Sequence, residues 1–273
     1  MKFKMIALVS ALMLVLAACS GTTESGGEVK VEEGIDAKDV FEKSIAAQEE
    51  IENFHMSADM SQILGSGEEE MEVNTVIDSD MSLEPMAFHQ MLEMTANGES
   101  MEAEQYFTEE GFYMKQGEQW MKLPDEMTDE MLTLQETQGD PAEQMEMMVD
   151  YVDEFSLTEE DGSYVMSLKA SGEKFQGLME KTAEEMGSQN QMMQEAMDQM
   201  KVNEVAYTYT VDKETFLPTN LKMKMDSEIS MEGETISTKM EMDSTYDQYN
   251  EVEDVKVPKE VMEQAQEMPG MSE

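Results

Sequence analysis

Residues 54–64, FHMSADMSQIL, alternate between apolar and polar side chains, and this alternation decides the fold class. In an extended strand, successive side chains point to opposite sides. The apolar set that shares one side is Phe54, Met56, Ala58, Met60 and Leu64. A two-residue period of this kind is typical of a strand with one buried face and one wet face. The stretch therefore predicts an antiparallel sheet.

The same alternation recurs along the chain and predicts further strands. They are expected at about 71–81, 86–95, 101–108, 112–115, 119–123, 154–160, 163–170, 205–211, 221–231 and 236–246. Asn97-Gly98 and Asp161-Gly162 are turn signals between neighbouring strands. The strands up to residue 123 are expected to form an antiparallel meander.

Helical patterns lie before and between these strands. Asp36 is a suitable N-cap for a helix that reaches about Asn53, because apolar residues follow it at helical spacing. Further helices are predicted at 126–134, from the N-cap Asp140 to Val152, from 172 to about 200, and from Pro258 onward. No domain boundary is visible between 35 and 266, which indicates one domain.

The first residues have the order of an export signal. Lys2 and Lys4 precede the apolar run Met5–Leu16, and two alanines follow it. This run of about 12 residues is too short to cross a bilayer. The expected organisation is a signal peptide at 1–18, a flexible tether at 19–34, a single domain at 35–266 and a C-terminal tail at 267–273.

Leu16-Ala17-Ala18-Cys19 resembles the bacterial lipobox. The resemblance implies cleavage before Cys19 and attachment of lipid to its thiol, so that the protein is anchored to the cell membrane on the extracytoplasmic side. Two acyl chains anchor a protein stably. Cys19 is also the only cysteine, which excludes an intrachain disulfide.

The charge is strongly negative. Asp and Glu number 62 against 17 basic residues, all of them lysine, and the net charge is −45. Removal of residues 1–18, with two lysines, gives 15 − 62 = −47. Such a chain repels nucleic acid and favours a soluble monomer. The lack of arginine removes the usual clamp for phosphate, so nucleotide and nucleic-acid ligands are disfavoured.

The order of elements resembles that of the lipoprotein-carrier and mycobacterial LppX-type half-barrel proteins. The similar segments are ENFHMSADMSQ at 52–62, VDKETFLPTNLKMKMD at 211–226 and YDQYNEVEDVKVPKEV at 246–261, the last as in uncharacterised Gram-positive surface lipoproteins. The resemblance implies an α+β fold, with a curved antiparallel sheet (half-barrel) and helices packed on its concave side. It also implies a non-enzymatic protein that shelters a lipid or another apolar molecule.

The 33 methionines have three interpretations. They can fill the core in place of leucine, form an adaptable apolar binding surface, or bind Cu(I) through their thioethers. For the second, the candidate pocket lining is Phe54, Met56, Met60, Met71, Met223, Met225, Met240 and Met242. Runs such as Met192-Met193 suggest the third interpretation, Cu(I) binding.

Nothing in the sequence indicates catalysis. His55 and His89 each fall on the strand face opposite a neighbouring phenylalanine, which predicts surface or rim positions. Trp120 is expected in the core or at a pocket rim. No catalytic residues, cofactor or metal site are expected, because no GxSxG, HExxH, Gly-rich phosphate loop or calcium loop occurs.

The sequence therefore predicts a lipid-anchored, non-enzymatic protein that binds or carries an apolar ligand. The alternatives are a cell-surface interaction module with a filled core and a protein partner, or a thioether Cu(I)-binding protein.

Overall fold

The computed structural model describes residues 35–66, 69–128, 155–171, 200–231 and 234–268. The elements in these ranges are α1 (Ala37–Gln48), β1 (Asn53–Ser66), β2 (Glu69–Leu83), β3 (Met86–Ala96), β4 (Glu99–Thr108), β5 (Gly111–Gln116), β6 (Gln119–Lys122), β7 (Ser156–Glu160), β8 (Ser163–Ser171), β9 (Met200–Asp212), β10 (Pro218–Met231), β11 (Glu234–Asp247), α2 (Lys259–Gln264) and β12 (Gln266–Glu267). The predicted signal peptide, Cys19 and the tether lie outside the described residues. So do almost all of the helices predicted between 126 and 200.

The twelve strands form one open sheet in the order β12-β6-β5-β4-β3-β2-β1-β11-β10-β9-β8-β7. Neighbouring strands are antiparallel, except that β12 runs parallel to β6. The predicted meander from β1 to β6 is present, and the large unclosed antiparallel sheet is consistent with a half-barrel. The two-residue strand β12 has no counterpart among the predicted strands.

The centre of the sheet joins distant parts of the chain. Strand β1 pairs with β11 over the whole length from His55 with Asp247 to Ser66 with Ile236. Beside this junction, the amide of Glu52 donates to Asn250 Oδ1 at 2.7 Å. Strand β1 begins at Asn53, directly after this hydrogen bond. Helix α1 ends at Gln48, earlier than the predicted Asn53.

Helix α1 begins at the predicted N-cap, Asp36, and the structure shows a complete capping box there. Asp36 Oδ1 accepts from the amide of Asp39 at 2.9 Å, and the Asp39 carboxylate accepts from the amide of Asp36 at 3.2 Å. The buried stripe of α1 packs on β8 and β9, in one cluster that contains Val40, Phe41, Ile45, Tyr164, Met166 and Val211. Burial of this stripe attaches the helix to one face of the sheet.

Helix α2 lies on the opposite face. It follows Pro258, as predicted, and Val261 packs with Tyr106, Tyr113 and Trp120 of β4 to β6. Trp120 is buried there, in agreement with its predicted place in the core. The two described helices thus lie on opposite faces, and the predicted packing of helices on one concave side is not confirmed.

Candidate functional site

One face of the central sheet carries no charged side chain, apart from Glu99 at the start of β4 and Glu159 on the neighbouring strand β7. Residues opposite each other in the register point to the same side, so the pairing defines this face across strands. It comprises every second residue of Phe54–Leu64, Met71–Met81, Phe88–Met94, Met101–Phe107, Tyr164–Leu168, Val205–Val211, Leu221–Ile229 and Ile236–Tyr246. We call it the apolar face. Its neutrality stands out in a chain of net charge −45.

Methionines occupy neighbouring positions on the apolar face. Met242 of β11 lies between Met223 of β10 and Met60 of β1, and Met240 pairs with Met225 in the next row. Among strand methionines with described side chains, only Met91 is on the other face. The structure therefore brings the predicted lining residues to one side of the sheet: Phe54, Met56, Met60, Met71, Met223, Met225, Met240 and Met242.

Aromatic rings cluster at the end of the apolar face where β1 begins. The Phe54 ring centroid is 6.2 Å from that of Tyr246 and 6.1 Å from that of Tyr249. In the same row, Phe88 stacks on Phe107 at 5.3 Å. This end of the apolar face is therefore lined by aromatic rings that contact each other.

Methionines at the opposite end of the apolar face reach solvent. Met71, Met94 and Met101 are 39%, 44% and 70% exposed, and Met94 pairs directly with Met101. Large apolar side chains of this kind usually avoid water, and neighbouring exposed ones mark contact surfaces. These three methionines are thus in contact with solvent at this end of the apolar face.

Buried tyrosines lie on or beside the apolar face. Burial raises the pKa of Tyr207, Tyr209, Tyr246 and Tyr249 above their ordinary value. The hydroxyl of Tyr209 shares a hydrogen bond of 2.9 Å with that of Ser44. These phenols are therefore neutral at physiological pH and add no charge to the face.

The other face of the same strands carries the ion pairs. Lys222 Nζ lies 2.8 Å from Asp243 Oδ2, and Lys224 Nζ lies 2.9 Å from Glu241 Oε1. Hydrogen bonds from Lys222 and Asn220 lower the pKa of Asp243. Apolar and charged side chains thus alternate along these strands, and the strand pairing places each kind on the same face in neighbouring strands.

Both histidines lie on this charged face beside carboxylates, in accordance with their predicted surface or rim positions. His55 Nδ1 is 2.8 Å from Asp80 Oδ1. His89 stacks on Tyr106 at 4.2 Å, and its Nε2 is 3.2 Å from Glu104 Oε1. Each histidine ring therefore has a carboxylate partner on the charged face.

Glu104 is the centre of the second histidine cluster. Burial acts to raise its pKa, but hydrogen bonds from His89 and Tyr106, together with the charge of Lys115, lower it below the ordinary value. Burial and the Glu104 charge raise the pKa of Tyr106 to about 12. The Glu104 carboxylate is therefore held ionised.

The described ranges contain no group of three or more His, Cys, Asp or Glu side chains that could hold a metal ion. In the same parts of the chain, no helix has the length and apolarity needed to cross a membrane.

Small polar residues on the apolar face were not singled out from the sequence as site residues. Thr75, Ser79 and Ser244 stand at apolar positions of their strands and are 4%, 2% and 2% exposed. The signal was present, because each interrupts a run of large apolar residues with the correct two-residue period. The burial of these residues could not be predicted without knowing which strands lie beside them.

Comparison with known proteins identifies a family, and the description of that family assigns no activity. A model described as a family of unknown function (DUF6612) matches residues 36–266, and no curated protein matches. Similar solved structures include LprF from Mycobacterium bovis, with 11% identity, TM-score 0.41, and coverage of 85% of this chain and 99% of that one. They also include the LolA superfamily protein NE2245 from Nitrosomonas europaea, with 9% identity, TM-score 0.25 and coverages of 83% and 97%.

Proposed function

The chain belongs to the family of unknown function DUF6612, and we propose that it is a lipid-anchored extracytoplasmic protein that holds an apolar ligand against the apolar face. It acts as a non-enzymatic monomer, and the ligand is a lipid or another apolar small molecule. The two parts of this proposal, ligand binding and anchoring, have separate support.

The segregation of charge carries the ligand-binding part. Charged residues make up 29% of the chain, yet between the strand ends the apolar face has none across eight strands. A surface that only kept the protein soluble would gain from carboxylates on both sides. An uncharged face with solvent-exposed methionines instead suits contact with an apolar molecule.

Methionine side chains suit a ligand of variable shape. A methionine side chain has three rotatable bonds and a polarizable sulfur, so it adapts to different apolar surfaces. The rows around Met242 and the exposed Met94 would allow a flexible acyl chain to lie along the sheet.

The lipobox-like segment supports the anchoring part. A surface of this negative charge is repelled by anionic head groups, so a covalent lipid on Cys19 is needed to hold the domain at the membrane. The apolar face would then lie within the length of the tether from the bilayer.

Native mass spectrometry of the purified full-length protein tests ligand binding. We expect an apolar molecule to co-purify with the wild type and with Met91→Glu, but not with Met94→Glu. Both methionines are exposed and lie on β3, but Met91 is on the charged face, so the pair separates the two sides of the sheet. Equal retention by both variants would contradict the proposal. A stable protein partner without lipid would support the interaction module instead.

Cu(I) binding is a second candidate, because Met223, Met242 and Met60 lie side by side on three strands. Thioethers select Cu(I). Met242→Leu keeps an apolar side chain but removes the sulfur, so it should abolish Cu(I) binding while leaving lipid binding nearly unchanged. Titration of the wild type and this variant with Cu(I) decides between the candidates, and a wild type that binds no Cu(I) removes the second.

A further inference from the structure

Thr75 places an unpaired hydroxyl inside the apolar face. Its side chain is 4% exposed, and it lies between Met60 of β1 and Met94 of β3. Within the described parts of the chain, Thr75 Oγ1 is the one buried side-chain oxygen or nitrogen that has no hydrogen-bond partner. Buried polar atoms are nearly always paired, so this one needs an explanation.

Stability alone does not explain a threonine at this position. A buried hydroxyl without a partner destabilises the folded state. Valine has almost the same shape and suits a strand equally well, so it would fill the position without the penalty. The hydroxyl is therefore expected to meet a partner that binds to the face.

The surroundings define the chemistry of that partner. Val73 and Ile77 flank Thr75 along the strand, and Gln62 of β1 is a polar residue at a diagonal position on the same face. Because the face has no charged residue between the strand ends, a carboxylate or phosphate placed here would be buried without a counter-ion. The polar group of the partner must therefore be neutral.

We propose that the Thr75 hydroxyl anchors a neutral hydrogen-bonding group, an ester or a hydroxyl, within an otherwise apolar ligand. This role rests on the proposed function, and it specifies where the ligand lies. The ligand lies across β1, β2 and β3. Access comes from the exposed side, where Met94 is 44% exposed and its flexible side chain can move aside. Gln62 provides a second polar contact for the same group.

Displacement of the neutral dye N-phenyl-1-naphthylamine from the purified full-length protein tests the anchor. The competing probes are methyl dodecanoate, which has an ester, and dodecane, which has none. Thr75→Val should weaken methyl dodecanoate binding about fivefold, the worth of one neutral hydrogen bond, and leave dodecane binding unchanged. Thr75→Ser, which keeps the hydroxyl, should retain ester binding.

Stability provides an independent readout. Thr75→Val removes an unpaired hydroxyl, so its Tm without ligand should rise by about 2 to 4 °C. Thr208→Val is the matched control, because Thr208 is half-buried on β9 and lies on the charged face, outside the proposed binding surface. This control should leave both probes unaffected. If Thr75→Val does not fold, Thr75→Ala replaces it.

The outcomes separate the two proposals. A wild type that binds neither the dye nor either probe contradicts the proposed function itself. Normal binding of both probes by Thr75→Val, or an equal loss in Thr208→Val, overturns the anchor and leaves the proposed function standing.

Discussion

At the scale of single residues, the boundary between α1 and the sheet depends on a buried phenol. Tyr209 packs against Phe41 with ring centroids 6.1 Å apart, and its hydroxyl bonds to Ser44 of the same helix. Burial of this phenol raises its pKa well above the ordinary value of 10.0. The folded chain therefore keeps the phenol proton at a pH where the unfolded chain has released it.

Alkaline pH should unfold the protein through these phenols. Because the folded pKa is the higher one, the stabilisation is complete below pH 10 and is lost as pH rises above it. Tyr209→Phe should lower the free energy of unfolding by about 1 kcal/mol at pH 7, through the lost hydrogen bond. Denaturant titrations should show this difference shrinking above pH 10. A difference that stays constant with pH would contradict the role of Tyr209.

At the scale of elements, two hairpins share one turn design. Asn97 and Gly98 have φ values of 53° and 81°, and Asp161 and Gly162 have 43° and 87°. Positive φ at both central residues is the type I′ geometry that matches the twist of paired strands. Aspartate and asparagine tolerate the first position, and glycine fits the second without strain.

Gly98→Ala should destabilise the β3–β4 hairpin. A Cβ at this glycine would meet no atom within 4 Å, so any loss must come from the positive φ and not from a clash. We expect a cost of about 1 kcal/mol in the free energy of unfolding. Asn97→Gly is the matched control, which relieves strain and should be neutral or stabilising. Chemical denaturation measures both, and an unaffected Gly98→Ala would contradict the turn assignment.

At the scale of the whole molecule, self-repulsion opposes folding. With 62 acidic residues against 17 lysines, most carboxylates have no lysine to pair with, and the net charge is −45. Carboxylates are concentrated on one side of the central sheet, which shortens the distances between them, while the apolar face remains neutral. The charge pattern that creates the proposed binding surface thus carries an electrostatic penalty.

Salt should therefore stabilise the protein. Raising NaCl from about 10 mM to about 0.5 M shortens the screening length several-fold and weakens repulsion among the carboxylates. We expect Tm to rise by several degrees, although isolated ion pairs such as Lys224–Glu241 lose strength. Sucrose of equal osmolarity separates screening from excluded-volume effects. A Tm that falls with salt would mean that the ion pairs outweigh the repulsion.

Cys19→Ala tests anchoring of the full chain. Without the thiol, no lipid can be attached, and the acidic domain should appear in the medium and not in the membrane fraction. Ser20→Ala, which leaves the cysteine intact, should stay with the membrane. Cell fractionation distinguishes them, and a Cys19→Ala variant that remains membrane-bound would contradict lipidation as the anchor.

Much of the local structure followed from short-range patterns. The alternation of β1, the cap at Asp36, the turn at Asp161-Gly162 and the start of α2 after Pro258 all agree with the structure. Each depends on residues a few positions apart, so local sterics and hydrogen bonding suffice to predict it. The shared face of Met60, Met71 and the other predicted lining residues also follows from the strand period, once the strands pair.

What the sequence determined by itself was the division of the central strands into an apolar and a charged side, because that property needs only the two-residue period. Only the tertiary structure decided that β1 pairs with β11, so that Met60 meets Met242, and that Thr75 is buried without a partner. It also decided the position of α2 on the charged face and the parallel pairing of β12. The physical reason is that pairing and burial depend on residues far apart in sequence, such as Glu52 and Asn250, whose contact no local pattern encodes.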